Sequence, residues 1–203
     1  MTADELIAEG ERLARPCLIL SESQPDEPVV GLWGNRDDTD TEGPLLWIRV
    51  DCAWLQQRGF DLDGYLSVYA DTEYCDFTVV HTPRERLPVR VGTEIPLSGR
   101  EGRSLPQEEA ILVLGEATTG RREAVSGEAI RLYRGLQLGS AFAGWATLGG
   151  WRMSWPDDDD DPEELAFWQV NRTLVLRTSH DAEPWVEVWR HSDGRLEAVA
   201  RIT

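Results

Sequence analysis

The chain has 203 residues, 41% of them hydrophobic, which is enough for one large domain or two small ones with a buried core. Its 37 acidic residues against 20 basic ones give a net charge of −17. That charge argues against sequence-independent binding to nucleic acid, where a phosphate backbone rewards cations, and against an anionic membrane surface.

In chain order, residues 2–14 read as a helix. Thr2 is placed to cap it, Glu5 completes a capping box, and Pro16 follows its end. "CLILSE" (17–22) and "VVGLW" (29–33) read as short strands, separated by a proline-bearing loop. An acidic, turn-rich stretch (34–44) leads into "LLWIRVDCAWL" (45–55), whose first part is a buried strand. "GYLSVYA" (64–70) and "DFTVVHT" (76–82) are two more strands. Residues 83–107 are rich in proline, glycine and arginine and are expected to be mostly connection. "EEAILVLGE" (108–116) fits strand or helix equally, whereas 126–138 carries helical spacing. A Gly/Ala-rich passage (139–150) and a Trp–acid loop follow. "TLVLRTS" (173–179), "PWVEVWR" (184–190) and "RLEAVARI" (195–202) are strands, with hairpin-turn chemistry at "HSDG" (191–194). The expected fold class is α+β: predominantly antiparallel sheet, with an N-terminal helix and one central helix. We expect a single domain over 1–203. Two similar sheet halves, about 1–92 and 108–203, would be joined by the Pro/Gly/Arg-rich connection.

The charge is uneven: −12 over residues 1–80, +2 over 81–155 and −7 over 156–203. The middle can therefore pair with the acidic ends. Every basic residue is arginine, a planar fork suited to carboxylates. Nine tryptophans are many for this length and should supply much of the core volume. Cys17, Cys52 and Cys75 are odd in number and form no C-x-x-C, which suits neither a disulfide framework nor a zinc site. The acidic start "MTADELIAEGERLARP" is unlike a signal peptide, and no apolar run approaches a membrane span. A cytoplasmic location with reduced thiols is the expectation.

The densest feature is "WPDDDDDPEE": Asp157, Asp158, Asp159, Asp160 and Asp161 between Pro156 and Pro162. A calcium loop alternates its ligands around a glycine, and this run does neither. Two readings remain: a solvated loop, or an acidic docking patch beside exposed Trp151 and Trp155, since aromatic rings near charges are typical interface anchors. A second acidic loop, with Asp37, Asp38, Asp40 and Glu42, follows Trp33. The two loops either form one surface or are solvated independently.

Catalytic signals are weak. His81, His180 and His191 have no nucleophile at readable spacing, and Ser140 lacks a G-x-S-x-G elbow. With no lysine there is no phosphate-binding G-x-x-x-x-G-K-[ST] loop and no Schiff-base chemistry. No G-x-G-x-x-G is present. No catalytic residue, metal or cofactor is therefore assigned. Arg49 stands apart, as a cation on a strand expected to be buried. It needs either a carboxylate or an anionic ligand, and Asp51, two residues on and on the same strand face, offers a structural pair.

"GPLLWIRVDCAWL" followed by "GYLSVYADTEYCDFTVVHTP" resembles the YwqG-like family of bacterial proteins of unknown function, through Asp51, Leu55, Gly64, Leu66, Tyr69, Val79 and Pro83. "ATLGGWRMSWPDD" leading to "TLVLRT" resembles that family's second block, so the likeness spans mainly 43–92 and 146–203. Two glutamines frequent in the family are replaced, by Arg49 and in the Trp155–Pro156 region. The resemblance implies a sheet-rich α+β fold and suggests a toxin-neutralising role, because related genes occur in toxin neighbourhoods. The leading expectation is thus a non-enzymatic acidic binding protein, an immunity-type inhibitor whose partner is a basic toxin. The alternative is a small-ligand protein or enzyme with a pocket lined by tryptophan and arginine.

Overall fold

The computed structural model describes residues 1–34, 44–71, 76–84, 93–121, 123–141, 144–151, 172–178 and 185–201. Helix α1 (Ala3–Leu13) begins as its sequence dictates. Glu5 N–H donates to the Thr2 hydroxyl at 3.3 Å, and Thr2 N–H donates to the Glu5 carboxylate at 2.7 Å. This capping box satisfies two backbone donors that a helix start leaves open.

Ten strands follow among the described residues: β1 (Arg15–Glu22), β2 (Gly31–Trp33), β3 (Leu45–Asp51), β4 (Tyr65–Ala70), β5 (Phe77–Thr82), β6 (Ile95–Ser104), β7 (Ala146–Gly149), β8 (Thr173–Thr178), β9 (Trp185–Arg190) and β10 (Leu196–Arg201). They form one sheet in the order β10-β9-β8-β7-β1-β6-β2-β3-β4-β5. Neighbours pair antiparallel throughout. The end strands β5 and β10 approach each other, so the sheet nearly closes into a barrel. Near-closure shields the two edges that would otherwise offer unpaired backbone to another chain.

Each half of the strand list is a leading strand followed by a four-stranded meander. The leading strands are exchanged: β1 borders the second meander and β6 the first. The stretch 83–107 is therefore not mainly a connection. Its second part is β6, a ten-residue strand at the centre of the sheet. The reason it reads as loop is visible in its partner. A Cβ on Gly99 would lie 2.7 Å from Leu18 Cδ2, and one on Gly102 would lie 2.9 Å from Ile19 Cδ1. The large side chains of β1 cover the small residues in the second half of β6, so over that stretch the pair's apolar content sits on β1.

The interior is a single apolar cluster. Leu18 and Leu20 of β1, Ile48 and Val50 of β3, Leu66 and Val68 of β4, Leu97, Leu148, Leu176 and Val188 all bury within it. Each such side chain contributes about 1.5–3 kcal/mol on leaving water. Trp33 meets Trp145 edge-on at 5.7 Å between ring centroids, and Trp47 meets Phe77 edge-on at 5.1 Å. The tryptophan excess is thus partly core volume.

Beyond α1 there are three helices among the described residues: α2 (Ala53–Gln56), α3 (Glu108–Thr119) and α4 (Gly127–Ala141). The ambiguous run 108–116 is helix, and the Gly/Ala-rich passage supplies the end of α4 and then β7. Leu6 of α1, Ile111 of α3 and Tyr133 of α4 pack with Leu105 into a second, smaller core. The Tyr133 hydroxyl donates to the Pro106 carbonyl at 2.8 Å, which satisfies it inside that core. The architecture is α+β with the sheet dominant. No helix among the described residues is long and apolar enough to cross a membrane.

Candidate functional site

Two of the expected docking tryptophans are not at the surface. Trp33 and Trp151 are each 5% exposed. Trp33 ends β2 and points into the barrel core, where it meets Trp47 and Trp145. Trp151 follows Gly149 and Gly150, whose φ values of +66° and +87° turn the chain sharply after β7. The turn lays Trp151 against Ser104. Its N–H donates to the Ser104 hydroxyl at 3.0 Å, and its Nε1 donates to the Leu13 carbonyl at 2.9 Å. The Arg15 guanidinium stacks 3.4 Å from its ring centroid. A ring with its one donor satisfied and one face covered by a cation is a structural element, which corrects the expectation of an exposed anchor. Trp155, Asp37, Asp38, Asp40, Glu42 and Asp157 to Asp161 lie outside the described residues.

Arg49 is where strand alternation places it, on the face of the sheet opposite the barrel core. Its neighbours in sequence, Ile48 and Val50, point into that core. It is 8% exposed. The expected pair with Asp51 does not form. Asp51 instead takes Nη2 of Arg84 at 2.7 Å and Nη1 at 3.3 Å, and accepts the N–H of Ala53, the first residue of α2, at 2.8 Å. Arg84 also reaches Asp63 at 3.3 Å. One fork-to-fork pair and one backbone N–H thus occupy the Asp51 carboxylate.

The partners of Arg49 come from β4. In register, Arg49 stands opposite Ser67, with Tyr69 two residues further along the same face. Nε donates to the Ser67 hydroxyl at 2.9 Å and Nη2 to the Tyr69 hydroxyl at 3.1 Å. Ser67 is 1% exposed. Among the described residues, no carboxylate lies within ion-pairing distance of Arg49. The sequence reading missed both hydroxyls. The signal for them was present in "YLSVYA", where Tyr65, Ser67 and Tyr69 alternate with Leu66 and Val68 and make one polar face.

A second feature is a groove of about 470 Å³ between α1 and α3. Leu13, Ile111 and Leu112 are among its apolar lining residues, and Glu9, Glu116 and Glu123 among its acids. Glu9 is held below the usual carboxylate value by its hydrogen bond from Arg12. The described cysteines offer no nucleophile. Burial pushes Cys17 up to about 11 and Cys52 up to about 12, so both remain neutral thiols near neutral pH.

Compared with family models, with curated proteins and with solved structures, the chain matches none.

Proposed function

We propose that the protein is a non-catalytic, acidic protein-binding module of the cytoplasm, acting as an immunity-type inhibitor that occludes a basic toxin. The observation that carries this reading is the charge left over after internal pairing. Arg12, Arg58, Arg84, Arg103 and Arg134 each hold a carboxylate of this same chain. Such pairs cancel one for one and leave the chain's net charge of −17 unbalanced. A field of that sign speeds encounter with a basic surface and repels nucleic acid. The packed barrel interior supports the same reading, because it leaves the surface to carry function.

Two regions are the places where such a partner would dock: the acidic run Asp157–Asp161 and the mixed apolar and charged groove between α1 and α3. A pull-down at low and then moderate salt should recover one stoichiometric basic partner whose capture weakens with salt. Replacing Asp157–Asp161 with asparagine, or Glu116→Arg in the groove, should then lower the association rate and flatten its salt dependence. If both variants keep the native rate and salt slope, the docking reading fails.

A further inference from the structure

We propose that Arg49, Ser67 and Tyr69 form a binding site for a small oxyanion, a carboxylate or a phosphate. The inference goes beyond protein docking and uses none of the residues invoked there.

A guanidinium has two hydrogen-bonding edges. In Arg49 one of them, Nε with Nη2, is spent on the Ser67 and Tyr69 hydroxyl oxygens. The other, Nη1 with the second hydrogen of Nη2, takes no hydrogen bond among the described residues. That end-on fork can grip a carboxylate or phosphate through two parallel bonds.

The hydroxyls follow from the same geometry. Each accepts a hydrogen bond from Arg49, so each has its own O–H left to donate. The cluster therefore presents one positive charge and donors on every side. An acceptor that also carries negative charge satisfies such donors and balances the cation. A buried cation with neutral partners alone is costly, and a removed or absent counter-charge is what makes it so. The fold had a carboxylate at hand in Asp51, yet it supplies Arg84 to hold Asp51 and leaves Arg49 to the hydroxyls.

Size and charge of the ligand follow from the surroundings. The site lies on an outer sheet face, in a cross-strand row with Leu32 of β2 and Val80 of β5, the latter 41% exposed. A chain of net charge −17 repels polyanions at long range. The ligand class is therefore an anion of one or two charges with a small apolar body, not a polyphosphate.

The test is thermal unfolding of the full chain in sodium phosphate, sodium acetate and sodium chloride at equal ionic strength. Matching the ionic strength matters because any salt relieves self-repulsion in so acidic a protein. We expect phosphate or acetate to raise Tm above chloride in a saturable way, and the effective anion names the class. Tyr69→Phe and Ser67→Ala keep the cation and each remove one donor, so each should weaken the apparent Kd about tenfold or more. Two results overturn the proposal: no rise over chloride with either anion, or equal rises in the native protein and both variants. Neither result would bear on the acidic docking surfaces.

Discussion

Cys17 on β1 and Cys52 at the start of α2 carry their thiols into the core, where both are at most 1% exposed. A thiolate is poorly solvated there, so burial raises both from 9.0, to about 11 and about 12. The unfolded chain releases these protons from pH 9.0 upward while the folded chain keeps them. Their contribution to stability is thus complete below that pH and is lost as pH rises through the folded values. Burial also raises the Tyr133 hydroxyl, with the same sign. Urea midpoints should be level near neutral pH and fall above 9.0. The double variant Cys17→Ala, Cys52→Ala starts lower and falls less steeply. Identical slopes in the two proteins would remove the thiols as the cause.

At the scale of elements, close backbone approach decides as much as apolar pattern. Gly34 follows β2 and donates its N–H to the Trp47 carbonyl at 3.1 Å, beside the irregularity between Leu46 and Ile48 in β3. A Cβ at Gly34 would strike the Leu46 carbonyl oxygen, which is backbone and cannot rotate away. Gly34→Ala should cost about 3 kcal/mol, the upper end for overpacking. Thr2→Ala removes only the cap of α1 and should cost about 1 kcal/mol. Urea denaturation of the two variants ranks them. The reverse order would mean that β2 and β3 can separate at little cost.

For the whole molecule, charge and closure are the governing quantities. The sheet wraps a filled interior, and the chain carries a net charge of −17. Like charges on one compact body repel, and salt screens them over a Debye length of about 8–10 Å at moderate ionic strength. The urea midpoint should therefore rise as sodium chloride is added from low to moderate concentration. A midpoint that falls would show that internal arginine–carboxylate pairs outweigh the net repulsion.

Several features were legible because they are local. The capping box over Thr2 and Glu5, the alternation in β4 and β9, and the turn closed by Gly194 at φ +86° each depend on neighbours in sequence. Charge, the absence of lysine and the burial of Arg49 were legible for the same reason: they are properties of composition or of a single strand. What tertiary structure decided was pairing at a distance. Strand β6 is a strand because β1 lays Leu18 and Ile19 across its glycines, and nothing within β6 announces that. Trp151 is buried because two left-handed glycines turn it onto Ser104, which lies far away in sequence. Asp51 goes to Arg84 rather than Arg49 because the β3–β4–β5 register brings the end of β5 into line with Asp51. The partners of Arg49 are hydroxyls because the β3–β4 register sets Ser67 opposite it. Sequence can place a charge on a strand face, but only the register of the neighbouring strand decides what that charge meets.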